Sequence, residues 1–133
     1  MKRLMPFVLL IAVASSLMSF DFAMKQPRWE KLGQRMVNMK ADHDVIPVTI
    51  AEGTFTAVRF RVLKAPIHLL NVRIHYANGK SHNVAVNKRI PKGTDSRIID
   101  LPGGKRIIKK ITFNYKTIPN GNGRAIVEAY GRK

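Results

Sequence analysis

The chain has 133 residues, with 24 Lys and Arg against 8 Asp and Glu, a formal net charge of +16 and no cysteine. Its length accommodates one domain with a single core and excludes a second. The missing thiols exclude disulfide stapling, a cysteine nucleophile and a lipid anchor through cysteine.

At the N-terminus, Lys2 and Arg3 precede an uncharged apolar run from Leu4 to Phe20. This is the pattern of a signal peptide, expected over residues 1–23 as a hydrophobic helix. Small residues at Ala12-Val13-Ala14 and Ala14-Ser15-Ser16 offer cleavage points, and a later cut follows Ala23. The run is also just long enough to span a bilayer, so an uncleaved anchor with Lys2 and Arg3 inside stays open as the alternative. Either way the domain is expected to be exported, periplasmic or secreted. Without residues 1–23 the chain loses Lys2, Arg3 and Asp21, leaving 22 basic and 7 acidic side chains. So large an excess favours anionic surroundings or partners, or else a merely solvated basic surface.

Residues 24–28 read as a linker and 29–133 as the folded domain. Beyond residue 40 the apolar residues alternate and no sustained helical period appears. WEKLGQRMV, DVIPVTI and SRIIDL are short strand candidates, with Pro47 marking an edge or a break. In TFTAVRFRVLK, Val58, Phe60 and Val62 alternate with Arg59 and Arg61. In HLLNVRIHY, Leu70, Val72, Ile74 and Tyr76 share a face opposite Asn71, Arg73 and His75. RIIKKITFNYK places Ile107, Ile111, Phe113 and Tyr115 on one side, with Lys109 as the exception, and Lys110, Thr112, Asn114 and Lys116 on the other. RAIVEAYG is mixed. Turn signals at Ala65-Pro66, Asn78-Gly79, Pro91-Lys92-Gly93, Pro102-Gly103-Gly104 and residues 119–123 separate these runs. The expected fold is all-β: an antiparallel two-sheet, jelly-roll-like sandwich of seven or eight short strands, with a small barrel as the rival.

RIHYANGKSHN, residues 73–83, carries two histidines around Asn78-Gly79. A two-residue turn would pair His75 with His82 and make half a metal site, but it would turn Val84 and Val86 away from the core. Register follows the buried face. A three-residue loop, Ala77-Asn78-Gly79 with Gly79 left-handed, instead pairs Val72 with Val84, Leu70 with Val86, Ile74 with His82 and His75 with Ser81. The histidines then lie on opposite faces, and no metal site is expected.

Asp42 and Asp44 flank His43 as an isolated acidic pair; turn-capping accounts for them, with a structural calcium as the alternative. No G-x-S-x-G elbow, paired catalytic carboxylates, phosphate loop or dinucleotide fingerprint occurs, so neither an enzyme nor a cofactor is expected. Asp100 is expected to tie down its turn, with Arg97 or Arg106 as partner. Trp29 reads as a core plug. What survives is a basic outer surface, Arg59, Arg61, Arg73, His75, Lys110, Asn114 and Lys116, forming one face if their strands share a sheet. Arginine forks suit phosphate, sulfate and carboxylate. The aromatics mostly point inward, which disfavours nucleic acid and a carbohydrate-binding groove alike, and leaves anion attraction better supported than recognition of a specific molecule.

WEKLGQRMV, SRIIDLPGGKRIIKKITFNYK and RAIVEAYG together resemble a family of small exported bacterial proteins of unknown function, through Trp29-x-x-Leu32-Gly33, Asp100-Leu101-Pro102-Gly103 and the aromatic strand that follows. The resemblance implies a single β-sandwich domain in a bacterial envelope or secreted setting and carries over no catalytic residue. The expectation is a non-enzymatic protein whose basic face meets an anionic polysaccharide or membrane surface. The alternative is an accessory protein binding a protein partner by a sheet edge near Val45–Ile50 or Trp29–Val37.

Overall fold

Strands form wherever the apolar side chains alternate. The computed structural model describes residues 28–37, 43–118 and 124–133. The expected signal helix over 1–23, the linker apart from Arg28, and Asp42 lie outside the described residues. Among the described residues no helix is long and apolar enough to cross a membrane.

The strands are β1 (Trp29–Val37), β2 (His43–Pro47), β3 (Thr54–Phe55), β4 (Ala57–Leu63), β5 (Ile67–Tyr76), β6 (Ser81–Ile90), β7 (Thr94–Asp95), β8 (Ile99–Asp100), β9 (Arg106–Thr117) and β10 (Ala125–Arg132). Seven have five residues or more, and β3, β7 and β8 have two each, which accounts for the seven or eight expected from the pattern. They make two antiparallel sheets. One runs β1-β10-β4-β7, with β8 also on β4; the other runs β2-β9-β5-β6, with β3 also on β9. Pro47 ends the edge strand β2, where its missing donor costs no ladder bond.

The chain crosses from one sheet to the other between β1 and β2, β3 and β4, β4 and β5, β6 and β7, β8 and β9, and β9 and β10. Both inner faces therefore close over one core. Val58, Phe60 and Val62 of β4 and Val127 of β10 join Leu69, Val72 and Ile74 of β5 and Ile111, Phe113 and Tyr115 of β9, all buried. Each large side chain so covered stabilises the fold by about 1.5–3 kcal/mol. Gly131 of β10 has no room for a side chain, because a Cβ there would lie 2.6 Å from the ring of Phe55.

The β5–β6 hairpin closes as the buried face demands. Ile74 pairs with His82, Val72 with Val84 and His75 with Ser81. Gly79 has φ +88°, Tyr76 N–H donates to Lys80 O at 2.8 Å, and Lys80 N–H donates to Asn78 Oδ1 at 3.0 Å. Farther from the turn the register slips between Leu69 and Asn71, so the expected Leu70–Val86 pair does not form. Leu70 is an extra residue relative to β9, whereas on the other side the surplus lies on β6, where Val86 and Asn87 together stand opposite Leu70. The bulge turns Leu69 into the core in its place and leaves Asn71 outward. β9 has a second bulge: Tyr76 pairs with Ile108 and His75 with Lys110, which leaves Lys109 unpaired. Ile108, not Ile107, is thus the buried residue, and the misplaced Lys109 is lifted out of the core-facing row.

Candidate functional site

The seven outward polar residues do not share one sheet. Arg59 and Arg61 stand on β4, while Arg73 and His75 on β5 and Lys110, Asn114 and Lys116 on β9 belong to the opposite sheet. The two arginines are also already engaged. Arg59 stacks on the Trp29 ring at 4.3 Å, and Arg61 Nε lies 3.8 Å from Asp95 Oδ1. Trp29 is therefore no core plug. It pairs with Arg132 on the outer face of edge strand β1, where the arginine guanidinium covers it.

The remaining five assemble on the outer face of β2-β9-β5-β6. Cross-strand register places Lys110 beside His75, Thr112 beside Arg73, Asn114 beside Asn71 and Lys116 beside His68. Across β6 the row continues with Ser81, Asn83, Ala85 and Arg89 opposite His75, Arg73, Asn71 and His68. Through the middle runs a hydrogen-bonded chain. His43 Nδ1 lies 2.8 Å from Asn114 Oδ1, Asn114 Nδ2 donates to Asn71 Oδ1 at 2.7 Å, and Asn71 Nδ2 donates to Asn83 Oδ1 at 3.0 Å. His43, Asn71 and Asn83 were invisible as a set in the sequence, because three strand registers and one bulge are needed to align them.

The charge is segregated between the sheets, apart from Asp44 of β2, whose carboxylate pairs with Arg35 of the other sheet. β5, β6 and β9 hold Arg73, Lys88, Arg89, Arg106, Lys109, Lys110 and Lys116 and no acidic residue. The other sheet carries Glu30, Asp95, Asp100 and Glu128, each in an ion pair with a basic residue of that sheet or of the chain flanking it. Asp100 pairs with Arg132 at 3.2 Å rather than with Arg97 or Arg106. Those two bind the carbonyls of Ala85 and Pro102. Among the described residues none of the seven cations on β5, β6 and β9 is within ion-pair distance of an acid.

His75 registers this field. Burial, then the charges of Lys110, Arg73 and Lys109, pull its pKa below the ordinary 6.5. Its Nε2 lies 3.2 Å from Thr112 Oγ1. His82 faces the core side, and among the described residues no three His, Cys, Asp or Glu side chains gather as a metal site. Asp44, half of the pair considered for calcium, has its oxygens engaged by Arg35 Nε at 3.1 Å and the Tyr115 hydroxyl at 3.0 Å. A cleft of about 330 Å³ opens beside β6, where Lys88, Arg89 and Arg97 line a floor of Val86, Ile90 and Pro91. Sequence reasoning missed it because its two walls come from β6 and the segment around β7.

Fold and surface thus define an all-β protein of two facing antiparallel sheets, one bearing a cationic, amide-lined outer face. The chain belongs to the DUF2541 family, a domain of unknown function, whose pattern it matches over residues 7–131. Among solved structures it is similar to Pseudomonas aeruginosa AlgX, with 11% identity, a TM-score of 0.52 and coverage of 78% of this chain and 26% of that one. The chain thus spans about a quarter of the length of that protein, and the likeness concerns the fold alone. Weaker similarities are to the SPBc2 prophage-derived protein YomS (8% identity, TM-score 0.36, 84% of this chain and 98% of that one) and to infectious bursal disease virus Gx strain (12%, 0.32, 81% and 32%). No curated protein matches the chain.

Proposed function

We propose that this is an exported, non-enzymatic jelly-roll protein whose β2-β9-β5-β6 outer face binds an anionic component of a bacterial envelope. The jelly-roll reading rests on the strand orders 1-10-4-7 and 2-9-5-6, in which the chain passes repeatedly from one sheet to the other and only β2–β3, β5–β6 and β7–β8 stay within a sheet. The observation that supports the binding role is the segregation of charge. Acids and bases on one sheet pair with each other, while the cations of β5, β6 and β9 on the other stand outside ion-pair distance of any acid among the described residues. Like charges held on adjacent strands cost stability, and a polyanion laid over them would relieve that cost.

The test is binding of the full-length chain to lipopolysaccharide, heparin and DNA at low and physiological salt. It compares Arg73→Gln/Lys110→Gln/Lys116→Gln with Arg59→Gln/Arg61→Gln. Loss of binding only in the first variant, to a polymer still bound at physiological salt, supports the reading. Equal weak binding to all three polymers, abolished by modest salt, reduces the charge to a solvated surface. A second reading, capture of a protein by strand addition, is favoured by the terminal positions of β1 and β2 in their sheets. It would be nearly insensitive to salt.

A further inference from the structure

The amide row across the site explains nothing about charge, yet it occupies the centre of the charged face. Each asparagine amide offers two N–H donors and two acceptor lone pairs. The links His43–Asn114–Asn71–Asn83 use one N–H of each donating amide and one lone pair of each accepting oxygen. Asn114 and Asn71 therefore keep one free N–H and one free lone pair each, and Asn83 keeps both N–H groups. The side chains of Asn71 and Asn114 are partly exposed and those of His43 and Asn83 exposed, so these free groups open to the surface. Successive strands lie about 4.8 Å apart, so His43, Asn114 and Asn71 present donors and acceptors at that spacing at right angles to the strands, and Asn83, opposite Arg73 rather than Asn71, continues the line obliquely.

The cations flank this row on both sides. One row along the strands from Asn114 and Asn71, roughly 7 Å away, stands Lys116 on one side, its row continued by His68 and Arg89, and on the other Arg73, directly opposite Asn83, with Lys110 beyond it. The Leu70 bulge makes this possible, because His68 and Asn71, three residues apart, would otherwise point to opposite faces. A cation only donates, whereas a hydroxyl both donates and accepts. Neutral amides in the middle with cations at either margin complement a chain that carries hydroxyls along its length and anionic groups at its sides.

We infer that the His43–Asn114–Asn71–Asn83 row reads the hydroxyl groups of an acidic polysaccharide lying across the strands, while the flanking lysines and arginines hold its carboxylates or sulfates. The inference rests on the anion-binding reading above and narrows it to a hydroxylated polymer, against a phospholipid surface. Among the described residues the face has no Phe, Tyr or Trp platform on which a neutral sugar ring would stack. Affinity therefore comes from charge and selectivity from the amides, and an uncharged polysaccharide does not bind.

The experiment compares the full-length chain on polygalacturonate, on poly-glutamate, which has the carboxylates without ring hydroxyls, and on anionic phospholipid vesicles, all at one ionic strength. The expected result is a preference of about tenfold for polygalacturonate, the effect of one or two hydrogen bonds. Asn71→Ala removes that preference and leaves poly-glutamate binding unchanged, while Arg73→Gln/Lys110→Gln weakens both. Asn83→Ala, on edge strand β6, serves as the variant least able to disturb folding and should lower the preference in part. If the row were only a cross-strand brace, Asn71→Ala would lower the melting temperature without moving the ratio of the two affinities. That result, or equal binding of both polymers by the unaltered chain, overturns the inference while the anion-binding face stands. Failure to bind either polymer at physiological salt overturns both.

Discussion

Arg35 of β1 and Asp44 of β2 meet at 3.1 Å, joining the edge strands of two different sheets. The second carboxylate oxygen of Asp44 accepts the hydroxyl of Tyr115, whose ring is buried in the core. One acid therefore ties together an edge of each sheet and the middle strand β9. The carboxylate is 14% exposed and the arginine 56%, so the two partners contribute unequally.

Asp44→Ala should destabilise the fold by about 1–3 kcal/mol, since it removes an acceptor from a buried hydroxyl as well as an ion pair. Arg35→Ala should cost less than about 1 kcal/mol, as for other exposed ion-pair partners. Urea unfolding of the two variants beside the unaltered chain measures the difference. Equal effects would mean that Tyr115 does not depend on Asp44.

Gly131→Ala drives a methyl group into the Phe55 ring and should cost about 1–3 kcal/mol through overpacking. Phe55→Leu in the same chain should recover part of that loss. At Gly79 the surroundings are open, and Gly79→Ala acts only through its φ of +88°, for about 1 kcal/mol. Thermal melts of the three variants separate crowding from backbone strain.

Glu128 is buried on the outer face of β10. The hydrogen bond from Lys31 at 2.7 Å, helped by that from Tyr130 and by the charges of Lys31 and Arg61, outweighs burial and holds its carboxyl below the ordinary 4.5. As pH falls, the unfolded chain takes up this proton before the folded one does. The stabilisation is therefore complete above about 4.5 and is lost on descending through the lower folded value. Glu128→Gln should flatten the acid limb of the melting temperature below about pH 4.5. An unchanged limb would assign acid unfolding to other carboxylates.

His75 gives the binding face its own pH signature. Burial and the neighbouring cations lower its pKa below 6.5, so the free protein holds it neutral near neutrality. A bound polyanion offsets Lys110, Arg73 and Lys109 and raises that pKa, so binding takes up a proton. Affinity should then rise as pH falls from about 6.5, and His75→Gln should remove the His75 contribution to that slope. Calorimetry in buffers of different ionisation enthalpy reads the proton directly.

Much of the fold was legible because burial on a strand has a period of two. Val58, Phe60 and Val62 declare the inner face of β4 from the sequence alone, and Val84 and Val86 decide the β5–β6 register against the two-residue turn. Asn78-Gly79 then specifies the loop, since Gly79 alone accepts the left-handed position there without strain. The bulges at Leu70 and Lys109 were less legible. In Leu69-Leu70 either leucine could have faced inward, and the choice belongs to Tyr115 and Val72, which come from elsewhere in the sheet or beyond the bulge.

The sequence by itself determined which residues of each strand face out, because local alternation is a property of neighbours. Only the tertiary structure decided which outward residues become neighbours of one another. Strands adjacent in sequence mostly part company at the crossings, so Arg59 and Arg61 went to one sheet and Arg73, His75, Lys110, Asn114 and Lys116 to the other. The basic face and its amide row exist only through pairings among β2, β9, β5 and β6, whose partners stand up to 71 positions apart in the chain. No local pattern encodes a pairing of that span, since it is selected by how two whole inner faces bury each other.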